Sequence, residues 1–350
     1  MKKKGFTLIE LLAVIVILAI IALIAVPVIM NIISESRKSA FKDTAYGIIS
    51  AGELYYAEKL LDPNGMTEEA TFTFTDGAVS PSGLNVKGSL PKSGNMKISQ
   101  NGKVAIAVSN GTTCYVKGYE DSDVTTVEDL EDCHIPGEIV VKTIKDLAIP
   151  SAFTDNEVAS CLTDGNASLC EPGTKVTIQV SKIETQNFYV ISEYRDNIVL
   201  IMDRNLGEGI PWNDALEVSD GPTRALQYLE DQTSGWEYIT PKTYVVEDEN
   251  NPKVYADITR TNARARLLSY NDASMVGCYL DDSNCPTWMY DNLDMSVEHR
   301  YAYWTSYAYS GGSNGAYVVF DDYGLSNSSG MWVLDGTGMC GVRPVIEIAK

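Results

Sequence analysis

Glu10 is the first side chain of this sequence that could do chemistry, because it is the only charged residue between positions 6 and 33. The residues around it are almost all Ala, Val, Ile and Leu. A carboxylate inside such a segment costs about 3 kcal/mol in a lipid bilayer unless a cation pairs with it. The segment contains no Lys, Arg or His. A cationic partner for Glu10 is therefore expected from another chain.

The apolar segment at residues 6–33 is long enough to span a membrane. As a helix it would be roughly 40 Å long at 1.5 Å per residue, more than the hydrocarbon core of a bilayer requires. A cleavable secretory signal would have a shorter apolar region that ends at small residues. Three lysines at positions 2–4, against mixed charges at positions 35–38, place the N-terminus in the cytoplasm.

The string Gly-Phe-Thr-Leu-Ile-Glu at residues 5–10 closely resembles the N-terminal motif of type IV pilins and of their relatives in secretion and DNA-uptake machines. The resemblance implies that a prepilin peptidase cuts after Gly5 and methylates the new amino group of Phe6. Glu10 would then pair with that amine on a neighbouring subunit, which relieves two isolated charges in lipid. Pro27 also fits the family and predicts a kink in the helix. An ordinary single-pass anchor would share the length and orientation but not the string.

Seven cysteines are the next candidates for chemistry. None has the CxxC spacing of a zinc site, and in an exported chain their spacing favours short-range disulfides. Cys340 is predicted to be buried and free, although a disulfide between Cys340 and either Cys278 or Cys285 stays open. The predicted disulfides are Cys114 with Cys133, Cys161 with Cys170, and Cys278 with Cys285.

Other catalytic or metal-binding groups are scarce. With only His134 and His299 in the chain, a histidine-based metal site or a Ser-His-Asp triad is not expected. The paired aspartates at 281–282 and 321–322 are more typical of loop charge than of an acid–base pair. Residues 120–132 are acidic but lack EF-hand spacing, so they are interpreted as a solvated loop, with calcium binding left open. We predict no enzyme activity, no cofactor and no metal site.

The net charge of −20 excludes nucleic acid as an expected partner. Phosphate binding needs clustered Lys and Arg, which only the first residues supply. The 350 residues leave room for two globular domains in addition to the helix.

The predicted fold class is α+β, with a long N-terminal helix packed on a small antiparallel sheet and followed by a second α+β domain. Apolar residues at alternating spacings of four and three from Phe41 to Tyr55 extend the helix. Alternation at residues 71–75 and Asn-Gly turns at 101–102 and 110–111 predict the sheet. The predicted parts are a leader (1–5), the long helix (6–61, with 6–33 in the membrane or filament core), a pilin-like sheet domain (62–135), a linker (136–150) and a C-terminal domain (151–350).

Secondary-structure elements of the C-terminal domain can also be predicted from the sequence. The predicted strands cover residues 176–180, 188–192, 198–203 and 340–348, and Pro222 begins a helix over residues 223–232. Residues 260–268 could form a strand or a short helix.

Tyrosines and tryptophans between positions 288 and 323 lie among Ser, Gly, Asn and Asp. This composition is typical of antibody paratopes, and aromatic faces beside Asn and Asp can also hold a sugar ring. We therefore predict a binding face for a surface glycan or a protein, although Trp304 fits a core position equally well. The predicted ligand-binding residues are Trp304, Ser306, Tyr307, Tyr309, Asn314, Tyr317, Asp321 and Tyr323.

Four strings in this half resemble those of bacterial surface domains with the C-type-lectin-like, formylglycine-generating-enzyme-like fold. The resemblance covers residues 174–350 and implies that the Gly-Val-Arg-Pro strand is core and that the loops before it form the binding face. Formylglycine-generating relatives use paired cysteines, but a local disulfide between Cys278 and Cys285 argues against that chemistry here. The strings are Leu-Ile-Met-Asp-Arg-Asn-Leu (200–206), Ala-Arg-Ala-Arg-Leu (263–267), Tyr-Trp-Thr-Ser (303–306) and Gly-Val-Arg-Pro-Val (341–345).

Together these features predict a type IV pilin-like subunit that assembles through its N-terminal helix and displays an adhesin-like, ligand-binding domain. Its expected partners are copies of itself, prepilin peptidase, the pilus assembly machinery and an unknown surface glycan or protein. It would cross the inner, cytoplasmic membrane once before assembly and then lie in an extracellular pilus or on the cell surface. The alternative is a minor pseudopilin that primes or caps a type II secretion or DNA-uptake machine.

Overall fold

The chain divides into two compact units, Met1–Ile139 and Val140–Lys350. The boundary falls inside the stretch 136–150 that was expected to be a linker. The computed structural model describes residues 8–62, 65–154, 157–163, 169–194, 196–214, 218–250, 252–280, 285–292, 302–309, 315–320, 324–328 and 340–350.

The first unit consists of a long helix and an antiparallel sheet. Helix α1 (Leu8–Lys59) is continuous and includes Pro27. In the described residues the sheet has six strands in the order β2-β1-β3-β4-β5-β6. The strands are β1 (Ala70–Thr75), β2 (Ala78–Ser80), β3 (Ser93–Ile98), β4 (Val104–Ser109), β5 (Cys114–Lys117) and β6 (Thr125–Val127).

Both predicted Asn-Gly turns join neighbouring strands of this sheet. β3 pairs with β4 across residues 101–102, and β4 pairs with β5 across residues 110–111. The second turn is held by the Asn110 side chain, whose Oδ1 accepts hydrogen bonds from the backbone N–H groups of Thr112 and Thr113, each at 2.9 Å. This Asx arrangement adds to the backbone hydrogen bond from Asn110 N–H to the Thr113 carbonyl oxygen at 3.3 Å. β2 was not predicted from the sequence.

The second half of α1 packs on the sheet. Ala45 and Ile48 are fully buried in one cluster with Phe72, Met96 and Ile106. Burying a side chain of the size of Ile contributes roughly 1.5–3 kcal/mol. The apolar stripe that the spacing predicted is therefore the surface that attaches the helix to the sheet.

The second unit has two larger sheets and a hairpin. In its described residues the sheets have the orders β18-β10-β9-β8-β7 and β11-β17-β14-β15-β16, and β12 pairs with β13. The strands are β7 (Ala148–Ile149), β8 (Lys175–Gln179), β9 (Thr185–Tyr194), β10 (Asn197–Met202), β11 (Leu206–Ile210), β12 (Lys242–Val246), β13 (Ile258–Ala263), β14 (Ala302–Tyr309), β15 (Gly315–Phe320), β16 (Gly324–Ser328), β17 (Cys340–Val342) and β18 (Val345–Ala349). The helices are α2 (Ile144–Leu147), α3 (Ser160–Thr163), α4 (Thr223–Thr233) and α5 (Tyr270–Met275).

Two differences from the expected elements stand out. Part of the predicted linker is structured, because Ile144 and Leu147 of α2 are buried in the core of the second unit and β7 pairs with β8. The ambiguous stretch 260–268 is extended, since β13 covers its start and Arg266 and Leu268 form isolated bridges with other strands. The α+β fold class is confirmed.

The core of the second unit lies in two clusters, which we call the larger core and the smaller core. Successive residues of one strand enter different clusters, since side chains of a strand alternate between its two faces. On β10, Leu200 belongs to the larger core and Ile201 to the smaller. On β14, Trp304 belongs to the larger core and Tyr303 to the smaller. These strands are therefore covered on both faces.

Candidate functional site

The first candidate site is the N-terminal end of α1. Gly5 and Phe6, where processing is predicted, lie outside the described residues, and so does the side chain of Glu10. The backbone of Glu10 is helical, within the first turn from the described start of α1 at Leu8. Pro27 lies inside the same helix, which does not end there.

The first half of α1 has no intramolecular partner among the described residues. Its large apolar side chains between Leu8 and Ile33 are exposed, with fractions between 42% and 83%. The helix is long and apolar enough to cross a membrane. A continuous apolar surface of this extent requires lipid or other protein to cover it.

Comparison with known proteins gives one result at this end of the chain. Residues 1–26 match the model of the prokaryotic N-terminal methylation motif. This match supports a type IV pilin or pseudopilin, and in such proteins the motif implies processing by prepilin peptidase and assembly into a pilus. No curated protein and no solved structure matches the chain.

The second candidate site is the predicted ligand face, and two of its residues lie in the core. Trp304 is fully buried, and its Nε1–H donates to the carbonyl oxygen of Ile210 at 2.7 Å. Ser306 is also buried, with its Oγ 3.4 Å from the carbonyl oxygen of Leu268. The prediction that these two side chains lie on an exposed face is wrong, because both faces of β14 are covered.

The remaining predicted face is only partly described. Tyr307 and Tyr309 are half-buried at the end of β14, and the Tyr307 ring stacks on Tyr270 with 4.9 Å between centroids. Tyr317 lies on β15, but its side chain is outside the described residues. Asn314, Asp321 and Tyr323 also lie outside them.

A buried arginine holds the second unit together at the Gly-Val-Arg-Pro string. Arg343 is fully buried, and its guanidinium lies 5.2 Å from the centre of the Tyr303 ring. Its Nε donates to the carbonyl oxygen of Met202 at 2.5 Å, and its other nitrogens donate to the carbonyls of Met289, Trp288 and Asp291. Sequence reasoning placed this strand in the core but did not identify the arginine as the group that connects β10 to residues 288–291.

A second charged network connects Arg266, in the extended stretch after β13, to α5 and β18. Arg266 binds Asp272 with two nitrogens and donates from Nε to Glu347 at 2.9 Å. Burial by itself would raise the pKa of Asp272, but Arg266 and Ser269 hold it below its usual range. For Arg266, burial opposes the charge, yet the two carboxylates raise its pKa overall. Lys242 Nζ lies 3.5 Å from Glu347, so the network contains two cations and two carboxylates, and we interpret it as structural.

The cysteines form the three pairs that the spacing predicted. Disulfides join Cys114 to Cys133, Cys161 to Cys170, and Cys278 to Cys285. Cys340 is free and buried, and burial raises the pKa of its thiol. It lies in the larger core of the second unit. Among the described residues, no group of three or more His, Cys, Asp or Glu side chains could hold a metal ion.

Proposed function

We propose that this chain is a type IV pilin-like subunit that assembles through its N-terminal helix and displays its second unit as a ligand-binding domain. The observation that carries the proposal is the methylation motif at residues 1–26, which overlaps the start of a helix whose first half exposes apolar side chains all round. Before assembly a bilayer would cover that surface, and in the filament the helices of other subunits would cover it. The subunit would first cross the cytoplasmic membrane once, with its N-terminus inside.

Processing would supply the partner that Glu10 needs. Cleavage after Gly5 leaves Phe6 with a free, methylated amino group that carries a positive charge. Pairing this amine with Glu10 of a neighbouring copy removes two isolated charges from an apolar environment. The same pair fixes the axial register between subunits.

Display of a ligand-binding domain is supported by the composition of the second unit. The aromatic and small polar residues between positions 307 and 323 remain candidates for the contact surface, with Trp304 and Ser306 now assigned to the core. The described members, Tyr307 and Tyr309, lie where β14 leaves the core. Rigid aromatic side chains at such an edge provide contact area with little loss of rotamer entropy. The order of the four strings supports a C-type-lectin-like arrangement for this unit.

The experiment is to examine filaments sheared from cells that express the chain. Mass spectrometry of the N-terminal peptide should show a chain that begins at a methylated Phe6. A Gly5→Leu variant, which removes the small residue at the cleavage position, should keep residues 1–5 and stay in the membrane. Filaments built from chains that still carry residues 1–5 would contradict the proposal.

A minor pseudopilin is the second candidate, and the size of the second unit favours it. Residues 140–350 form a larger unit than residues 1–139, and such an addition must be accommodated at every subunit of a major filament. A subunit that primes or caps a secretion or DNA-uptake machine needs only one position. Abundance in the sheared fraction separates the two candidates, since a major pilin would dominate it.

A further inference from the structure

The second unit contains a cavity beside the end of β12, next to the network of Arg266. Its volume is about 200 Å³. It is lined by Tyr244, Val245, Val246, Glu247, Glu249, Arg266, Leu267, Ser269 and Ser306. This volume suits one side chain or a ligand of a few heavy atoms rather than a large ligand, for which pockets are typically about 300–1,000 Å³.

The donors in the lining are already committed to protein partners. The Arg266 guanidinium is matched by Asp272 and Glu347, and the Ser269 hydroxyl donates to Asp272 at 2.7 Å. An anion in the cavity would therefore have to displace an existing ion pair. The lining does not favour a carboxylate or a phosphate.

Several oxygen atoms in the lining can accept further hydrogen bonds. Glu249 is half-buried and accepts backbone N–H groups of Tyr270 at 2.6 Å and Asn271 at 3.2 Å, which leaves further lone pairs on its two oxygens. Glu247 is exposed at the same wall. The Tyr244 hydroxyl is buried and has no hydrogen-bond partner among the described residues. Buried polar atoms are normally paired, so this hydroxyl is an unsatisfied polar group in a residue of the cavity wall.

The charges around the cavity also favour a cation. In the lining, Glu247 and Glu249 accompany one cation, Arg266, whose charge is already opposed by Asp272 and Glu347. Burial raises the pKa of Glu249, and a cation placed beside it would offset that effect.

We propose that this cavity binds an alkylammonium group, with the ammonium held by Glu247 and Glu249 and the alkyl stem against Val246 and Leu267. An ammonium has three donors and no acceptor, which complements a wall of unused acceptors. The Tyr244 ring adds an aromatic face, to which cations are attracted. The source is a lysine side chain of a partner protein or a free small amine. The inference goes beyond the proposed function, since it assigns a ligand class to a cavity that shares Ser306 with the predicted ligand face and does not require filament assembly.

The test is ligand-observed NMR on the full chain in detergent micelles. The probes are Nα-acetyl-lysine methylamide, its neutral Nε-acetyl analogue, n-butylamine and glucose. Saturable binding of either amine, with the neutral analogue bound at least about fivefold more weakly, is the expected result. Preference for the lysine derivative over butylamine indicates a protein partner, and the reverse indicates a free amine.

Three variants sharpen the test. Glu247→Gln and Glu249→Gln should each weaken amine binding by about fivefold, while Glu208→Gln, an equal charge change at an exposed position outside the cavity, should not. Glu249 also accepts backbone N–H groups of Tyr270 and Asn271, so the Glu249→Gln variant must keep its tryptophan fluorescence to show that it is folded. Glu247→Gln tests the same loss of amine binding without removing that contact. Absence of saturation up to about 50 mM amine, binding of glucose in preference to both amines, or equal loss in all three variants would overturn the proposal.

Discussion

The two halves of helix α1 have the same secondary structure but different surroundings. In the half at residues 8–33, the large apolar side chains are exposed. In the half at residues 41–56, Ala45, Ile48 and Ala51 are buried against the sheet, with Ile48 fully inaccessible. One half finds its apolar partner within the chain, whereas the other must find it outside.

This difference explains why the polar residues of the two halves have different consequences. The packed half carries charged residues on the face away from the sheet, where water solvates them, as at Glu53. The exposed half carries a single charge, Glu10, in a segment that lipid or protein must cover. The packed half therefore stabilises the subunit, and the exposed half provides the surface for assembly.

The largest expected effect comes from removing that single charge. Glu10→Ala should lower the amount of chain in sheared filaments by at least about tenfold, because the Phe6 amine of a neighbouring subunit is then left unpaired in an apolar environment. The variant should accumulate in the cytoplasmic membrane. Immunoblots of sheared and membrane fractions measure both amounts.

Glu53→Ala is the matched control, since it makes the same change on the packed half at an exposed position. It should assemble like the unmodified chain. Normal filaments from Glu10→Ala would remove the distinction between the two halves.

The second effect is on stability, and it should appear only in the packed half. Ile48→Ala leaves a cavity against Phe72 and Met96 and should lower the free energy of unfolding of the first unit by about 2–5 kcal/mol. Ile24→Ala removes the same atoms from an exposed position and should change it by less than about 0.5 kcal/mol. Hydrogen exchange of the β3 and β4 amides measures this unit alone, whereas tryptophan fluorescence reports the second unit, where all five tryptophans lie. Equal effects would show that the packing is not what attaches the helix.

Two glycines of the packed half give a third test. A Cβ at Gly52 would lie 2.9 Å from Met96 Sδ and 3.2 Å from both methyl carbons of Val104, so Gly52→Ala should destabilise the first unit by up to about 2 kcal/mol after its gain in helix propensity. A Cβ at Gly47 would meet nothing within 4 Å, so Gly47→Ala should stabilise by about 0.5–1 kcal/mol. Thermal unfolding of the first unit, monitored by hydrogen exchange of the β3 and β4 amides, gives the sign of the stability change for each substitution. Stabilisation by both substitutions would mean that the helix is not closely packed at Gly52.

The smallest effect concerns the hydrogen bond that joins β5 to α1 at Lys38, between the exposed and the packed half. The Tyr115 hydroxyl donates to the carbonyl oxygen of Lys38 at 2.8 Å, and Tyr115→Phe should cost about 1 kcal/mol. Burial raises the pKa of Tyr115, so its contribution is present below the unfolded-state pKa of about 10 and is lost as pH rises through the folded-state value. The variant should therefore lose less stability than the unmodified chain on titration above about pH 10. Identical alkaline titrations of the two proteins would contradict this assignment.

Much of the fold could be predicted from local pattern. Residues 71–75 alternate apolar and polar and form β1, and the two Asn-Gly pairs turn where they were expected to turn. The helix behind Pro222 and the short spacing of the cysteine pairs are equally local signals. Tight turns, helix starts and short disulfide loops depend on residues that are close together in the sequence, so these predictions needed no tertiary information.

The aromatic site was predicted less well for a physical reason. Trp304 and Ser306 lie among Tyr, Ser and Thr, a composition that fits a binding surface and a covered strand equally well. What decides between them is whether both faces of β14 are occupied, and that depends on residues far away in sequence, such as Ile210 and Leu268. The carbonyl partners of Arg343 and the cavity beside Tyr244 are likewise assembled from separate segments.

By itself, the sequence determined that the chain begins with a methylation motif and an apolar helix with one charge, because these are properties of consecutive residues. It also predicted the α+β character and favoured short-range disulfides, with the partner of Cys340 left open until the fold was known. Only the tertiary structure decided which half of α1 is covered, which aromatic residues are core, and which carboxylates meet around a cavity. Burial is the reason for the division, since a side chain is covered by whatever the fold brings to it, and no local pattern specifies that neighbour.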